Sequence, residues 1–322
     1  LMLSEDFYNG RYWVSPGICV IDKDGYIIFN YCTDDYNDLD DFLLEKLGEP
    51  DPTGPSDTPK LYESTDYSKD GEVTQLQAAT KGNGIDIVLM GDAYSDRMIA
   101  DGTYERIMRT AMEKIFEEEP YKSFRDHFNV YSVTAVSKNE VYSQYSETAF
   151  DCYFGDMTVV GGDNPTAFSY AAKAIGEDRI EDALIIVMMN SVEHAGTCYM
   201  YNPSFNNNYG TGLSISYFPK GGDAATFAQL LHHEALGHGF AKLADEYAYQ
   251  ENGQIPDEEI ESNKSTEKYG WWKNADFTND PAKVKWTHFL NDSRYSNEGL
   301  GVYEGAFTYW TGAYRPTQNS IM

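Results

Sequence analysis

Three of the six histidines in this chain, His232, His233 and His238, fall within seven residues. They sit in the run Asp223-Ala-Ala-Thr-Phe-Ala-Gln-Leu-Leu-His232-His233-Glu234-Ala235-Leu236-Gly237-His238-Gly239. Asp223 is suited to cap a helix, and Phe227, Leu230, Leu231 and Leu236 give that helix a buried side. A His-Glu pair followed by a second His one turn on is the pattern by which zinc peptidases bind metal through two imidazoles, with the Glu as general base. Here the spacing is H-E-x-x-x-H, one residue longer than the usual H-E-x-x-H. In a regular helix at about 100° per residue, i+4 differs by about 40° in azimuth but i+5 by about 140°. Two such imidazoles would point apart. A π-bulge, whose turn closes i→i+5, returns the extra residue to the same face, and such bulges occur mostly at functional sites. The spacing therefore predicts metal binding by His233 and His238 with a bulge between them, eased at Gly237. Pairing His232 with His238 gives i+6, which is worse.

Hard oxygen ligands follow at Asp245-Glu246, past a helix break expected at Gly239. Zinc held by three protein groups keeps a position for water and lowers its pKa. Glu234 would take the proton of the attacking water and pass it to the leaving amine. Tyr247 and Tyr314 are candidates to hydrogen-bond the oxyanion or substrate, although in a chain with 26 tyrosines a structural role competes for each. His127, His194 and His288 lack ligand spacing and read as structural. Leu213-Ser214-Ile215-Ser216-Tyr217, just before the helix, suits an edge strand that could hold an extended peptide by β-augmentation.

The run HEALGHGFAKLADEY resembles the signature of the bacterial IgA-peptidase family of zinc metallopeptidases, in which an HExxH or HExxxH core precedes a Leu-x-Asp-Glu-Tyr run. The longer spacing also occurs in dipeptidyl peptidase III, where both His bind zinc. Three further segments resemble the family: IDIVLMGDAYSD (85–96), FRDHFNVYSVTAVSKNE (124–140) and YEGAFTYWTGAYRPTQNSIM (303–322). The resemblance covers residues 85–322. It implies a metzincin-like α+β (α/β-like) domain, a twisted mixed sheet with an active-site helix, one catalytic Zn2+ and a polypeptide substrate. Metzincins take their third ligand six residues after the second His. That position is Ala244, which cannot coordinate, so Asp245 is the natural candidate, Glu246 the second, and Asp257, Glu258, Glu259 or Glu261 the third. Asn319-Ser320-Ile321-Met322 resembles a Met-turn, which would place Met322 as an apolar floor beneath the histidines. Two other readings stand beside the endopeptidase. One is a cell-surface binding module with a degenerate or structural metal site; the other is a zinc amidohydrolase of cell-wall peptides.

The elements that must position these groups are legible as periodic runs. Ile85–Met90, Phe128–Val133 and Ala183–Met189 read as strands, with helices from about Asp101 to Glu118 and Ala167 to Ala174. His194–Met200 and Leu213–Tyr217 read as edge-type strands. Four prolines between Gly48 and Asp70 read as a linker, dividing a small unit (1–47) from a peptidase domain (71–322). Within the small unit, Ile18–Ile21 and Tyr26–Phe29 flank an Asp-Lys-Asp-Gly turn and predict a β-hairpin, with a helix following at Leu39–Leu47. With Ser15-Pro16-Gly17 ahead of it, this unit weakly resembles the C-terminal half of a thioredoxin-like domain, in which that proline is cis. The half that would carry the redox CxxC is absent, so no redox activity is implied.

Composition bounds the rest. The 322 residues carry 24 Lys+Arg and 52 Asp+Glu, a formal net charge of −28. That charge repels phosphate backbones and anionic membranes, which argues against nucleic-acid binding as a main function. With 41% hydrophobic and 15% aromatic residues, the chain has the apolar surface for a core. No run of eighteen apolar residues is present to span a membrane. Cys19, Cys32, Cys152 and Cys198 show no CxxC spacing; one bridge, Cys152–Cys198, and four free thiols are equally compatible with the spacing. The acidic composition and the resemblance to a secreted family place the protein outside the cytoplasm, with a signal sequence already removed ahead of Leu1.

Overall fold

The structure, a computed structural model, describes residues 61–203 and 212–322 and the backbone of two strands near the N-terminus, β1 (Cys19–Ile21) and β2 (Ile27–Asn30). These two pair antiparallel, with Val20 opposite Phe29, as the Asp-Gly turn predicts. The helix expected at 39–47 and the thioredoxin-like resemblance lie outside the described residues.

The main domain is built on a six-stranded sheet in the order β3-β5-β4-β8-β10-β9. The strands are β3 (Val73–Gln77), β4 (Ile85–Asp92), β5 (Phe128–Val133), β8 (Leu184–Met189), β9 (Thr197–Met200) and β10 (Ser214–Pro219). The four central strands run parallel, and the outer two, β3 and β9, are antiparallel to their neighbours. A short hairpin of β6 (Tyr153–Phe154) and β7 (Val160–Gly161) stands apart.

Apolar runs such as Ile-Asp-Ile-Val-Leu-Met and Leu-Ile-Ile-Val-Met-Met are buried on both faces because helices cover both faces. The period-2 alternation of each strand divides the core in two. Val88, Met90, Ile185, Val187 and Ile215 face Ala167, Phe168, Ala171 and Ile175 of the helix Asn164–Ile175. That helix starts later in the chain's reading as Ala167; its true start is set by Asp163, whose side chain accepts from Thr166 N, with Pro165 in the first turn. Ile87, Leu89, Ile186, Met188 and Phe218 face the other way. They pack on Met108, Met112 and Ile115 of the helix Thr103–Ile115 and on Phe227, Leu230, Leu231 and Leu236 of the histidine-bearing helix. The result is a three-layer αβα domain that carries the histidines on one of its outer layers.

A second, three-stranded sheet has the order β11-β13-β12, from β11 (Ala248–Gln254), β12 (Tyr303–Ala306) and β13 (Thr308–Arg315). It packs over a small core of Ala244, Ile255, Ala275, Ala306 and Ala313.

Three expectations need amending. Residues 213–217 do not form a sheet edge: β10 lies between β8 and β9, and all six of its residues are buried. The alternation of Ser214 and Ser216 with apolar residues resembles a half-exposed edge, but both serines are buried, each hydrogen-bonded to a carbonyl of the histidine-bearing helix. The edge belongs to Thr197–Met200. Cys152 and Cys198 are both free thiols, not a bridge. Residues 61–70, at the end of the segment read as linker, pack on the domain: Tyr62 Oη donates to Asp96, Ser64 Oγ to the Ser137 carbonyl, and Tyr170 Oη to Asp70. Among the described residues no helix is long and apolar enough to cross a membrane.

Candidate active site

Asp223 caps the helix Ala224–Leu230, its carboxylate accepting from Ala225 N and Thr226 N. From Leu231 to Phe240 the same helix continues as a π-helix. The insertion in H-E-x-x-x-H is therefore absorbed over ten residues, where the sequence suggested a single bulge. A wider helix splays its carbonyls, and neighbouring side chains satisfy them. Ser216 Oγ donates to the Glu234 carbonyl, Tyr121 Oη to that of Leu236, and Ser214 Oγ to that of Gly239.

Gly237 has a packing role. A Cβ there would overlap the sulfur of Met322 and lie 2.7 Å from its Cε. Met322 is buried at 6% exposure, so the missing side chain makes room for the methionine beneath the helix. The chain does not break at Gly239, which packs against Leu184 and Ser214; it reverses at Lys242, in the left-handed region at φ 55°. Burial pushes the Lys242 amine down to about 8, and its Nζ donates to the Gly212 carbonyl.

The π-helix turns His233 and His238 toward each other, with their Nε2 atoms 3.2 Å apart. The reversal at Lys242 brings Asp245 back, so that its Oδ1 lies 3.3 Å from each Nε2. His233 Nδ1 donates to the Ile321 carbonyl at 2.8 Å and His238 Nδ1 to the Leu243 carbonyl at 2.7 Å. Both imidazoles are thereby held in the tautomer that aims a lone pair from Nε2 into the gap. Asp245 Oδ1 is buried and makes no hydrogen bond. Two converging imidazole lone pairs and an orphaned buried carboxylate oxygen form a cluster that could hold a cation. Their spacing suits a tetrahedral zinc, whose bonds of about 2.0–2.1 Å put neighbouring ligands about 3.3–3.4 Å apart.

Electrostatics in the gap reflect the same crowding. Burial disfavours ionisation of Asp245, but the facing imidazoles hold its carboxyl well below the usual carboxylate range. Burial likewise opposes charging of His233, and Asp245, Glu234 and the Ile321 carbonyl outweigh it, so its pKa is raised. Glu234 is buried, and loss of water pushes its carboxyl up against the opposing pull of His238 and His233. Its side chain lies against Gly196, where a Cβ would meet Oε1 and come within 2.7 Å of Cγ. Gly196 thus leaves the space that Glu234 fills.

These groups open into a cleft of about 650 Å³. Tyr247 lines it, with its ring 6.1 Å from that of His233; burial, then Asp245, raises its hydroxyl pKa. Tyr314 does not line it. Its hydroxyl faces Glu304 and its backbone bridges Asp276, because its place on β13 sets it on the second sheet. Glu246 is committed elsewhere, accepting from Asn274 and Thr317. Asp257, Glu258, Glu259 and Glu261 lie on the helix Asp257–Thr266 and outside the cluster. His232 bonds the Lys114 carbonyl, a structural role. His194, read as structural from spacing, is exposed and lines the cleft. Sequence reading also passed over Gly196, the Ile321 carbonyl, and Tyr249, Trp272 and Phe307, all of which border the cleft or the histidines. Only the Tyr247-x-Tyr249 alternation carried a readable signal.

The family model of IgA peptidase M64 matches residues 73–298, more than half of the chain. The chain belongs to this family. Membership marks the protein as a peptidase, a hydrolase whose substrate is polypeptide, of a family that suggests metal dependence, and His233, His238 and Asp245 form a cluster that could hold a metal ion. The match takes in all three members of the cluster and Glu234, while Met322 and β13 lie beyond it. Comparison with curated proteins returns no match.

Proposed function

We propose that the protein is a zinc-dependent endopeptidase of metzincin-like design, with His233, His238 and Asp245 as ligands and Glu234 as general base. The observation that carries the reading is the orphaned Asp245 Oδ1, 3.3 Å from two imidazole nitrogens whose tautomers leave their lone pairs facing it. A zinc ion there would act as Lewis acid toward a peptide carbonyl and lower the pKa of water. Glu234, next in the chain to His233 and walled in by Gly196, takes the proton of the attacking water and hands it to the leaving amine. Its burial favours the task, since a carboxylate moved toward neutrality both accepts and returns a proton.

Substrate enters as an extended chain along the free edge of β9. That strand is antiparallel to β10, is outermost in its sheet among the described residues, and borders the cleft at Thr197, Cys198 and Met200. Tyr247, which lines the cleft beside His233, would donate to the developing oxyanion. Met322, under Gly237, supports the histidines from below, and its own carbonyl accepts from Glu246 N. An acidic, extracytoplasmic enzyme fits this reading.

Glu234→Gln tests it. Gln is nearly isosteric but accepts no proton at neutral pH, so kcat should fall about 10²–10⁴-fold with metal content unchanged. Equal cleavage of a peptide library by both proteins removes Glu234 from the mechanism. Absence of cleavage by zinc-loaded wild type transfers the weight to a binding role.

A further inference from the structure

The metal cluster leaves one wall of the cleft unexplained. Tyr247 immediately precedes β11 and Tyr249 is its second residue; two positions apart, both line the cleft. Their rings are 5.5 Å apart, and Tyr247 continues to His233 at 6.1 Å with only a 30° tilt. An aromatic ladder therefore climbs from a metal ligand to the rim. Each tyrosine remains open to solvent, Tyr247 at 38% and Tyr249 at 39% exposure. Phe307 and Trp272 close the base of the same wall, with ring centres 5.7 Å apart.

Two features say what the wall receives. First, β11 is the outer strand of its sheet, as β9 is of the other, so the cleft runs between two sheet edges over the π-helix. A chain extended along β9 sends alternate side chains across toward the ladder. Second, among the described lining residues no Lys or Arg is present, and the only carboxylates are Glu234 and Asp245 at the metal centre. Nothing on the wall pairs with a charged side chain, whereas its exposed ring faces offer stacking and apolar area.

We infer that Tyr249, with Tyr247 beneath it, is a specificity-determining residue that stacks on an aromatic or large apolar side chain close to the scissile bond of an extended polypeptide. The inference rests on the proposed peptidase reading only in that the polypeptide enters this cleft.

The test separates recognition from hydrolysis. Immobilised, zinc-loaded Glu234→Gln protein is offered a library of blocked decapeptides with randomised centres, and retained peptides are sequenced by mass spectrometry. Active wild-type enzyme digests the same library. Phe, Tyr, Trp, Leu and Met should be enriched at one fixed distance from the cleaved bond and among the retained peptides. Tyr249→Ala should lower the preference for Phe over Ala at that position about fivefold, chiefly through KM, and Tyr249→Phe should restore it, as one aromatic contact of ordinary strength implies. Retention with this preference but without cleavage by wild type would leave the inference standing and sink the peptidase reading. Cleavage with a preference that Tyr249→Ala leaves unchanged overturns the inference alone. Enrichment of Lys, Arg, Asp or Glu at the position, retention only of sugar-bearing cell-wall peptides offered in parallel, or no retention and no cleavage also overturns it.

Discussion

Gly196→Ala adds one methyl group at the wall of the site and leaves every proposed ligand in place. The backbone at 196 is not in the left-handed region, so alanine adopts it without strain. The new Cβ, however, would lie 2.7 Å from Glu234 Cγ and 2.8 Å from Cδ, and closer still to Oε1. Carbon atoms rest about 3.5 Å apart or more, so the carboxylate must retreat by about 0.7–0.8 Å. Misplacing a reacting group by 1 Å costs about 10²-fold, which sets the expected fall in kcat at about 30–100-fold. Overpacking costs about 1–3 kcal/mol, and the stiffer unfolded chain returns about 0.4–1 kcal/mol. Tm should therefore drop by only about 2–6 °C, far too little to unfold the enzyme at assay temperature. The measurements are metal content by elemental analysis, a melting curve, and kcat and KM on a peptide found by library digestion. Full metal occupancy with kcat reduced supports the geometry. A kcat within threefold of wild type with metal bound would show that Glu234 either does not sit against Gly196 or is not the base. Loss of metal would show that the effect is not confined to Glu234.

Three further outcomes follow from the same contacts. Asp245→Asn replaces the orphaned oxygen by a weak ligand and should reduce zinc affinity about 10²-fold or more, measured by competition with a chromogenic chelator; unchanged affinity would point to a different third ligand. Gly237→Ala should destabilise by about 1–3 kcal/mol because its Cβ overlaps Met322, and Met322→Ala in the same chain should relieve most of that increment, a coupling read by a denaturation double-mutant cycle. Lys242, with its amine pushed by burial from 10.5 to about 8, binds fewer protons in the folded state than in the unfolded one between those pH values. Stability of the wild type should therefore rise from pH 8 to 10.5 relative to Lys242→Met, by up to about 3 kcal/mol, and a flat difference would refute the burial of a charged amine.

What could be read along the chain was local. Runs such as Leu184–Met189, the Asp223 cap and the His-Glu-x-x-x-His spacing report their structure because each is decided by a few neighbouring residues and a fixed period. The i+5 spacing even predicted departure from an α-helix, since 100° per residue leaves no other way to bring two imidazoles together. Its extent was not legible: Ser214 and Ser216 from β10, and Tyr121 from the short helix Tyr121–Phe124 far away in the chain, satisfy carbonyls along the ten residues of π-helix. The choice among Asp245, Glu246 and four later carboxylates was likewise open in the sequence, where all are alike in chemistry. In the fold the reversal at Lys242 aims Asp245 at the imidazoles, while Asn274 and Thr317 claim Glu246, which is why Asp245 is the carboxylate of the proposed site. Both Thr197–Met200 and Ser214–Pro219 read as edge-type strands, and only their hydrogen-bonded neighbours showed that the first is the edge and the second lies inside the sheet. Spacing along a chain determines which groups one helix can present. Which of them meet a partner from elsewhere depends on loop closure and packing across the whole domain, and that is where Asp245, Gly196 and Met322 joined the site.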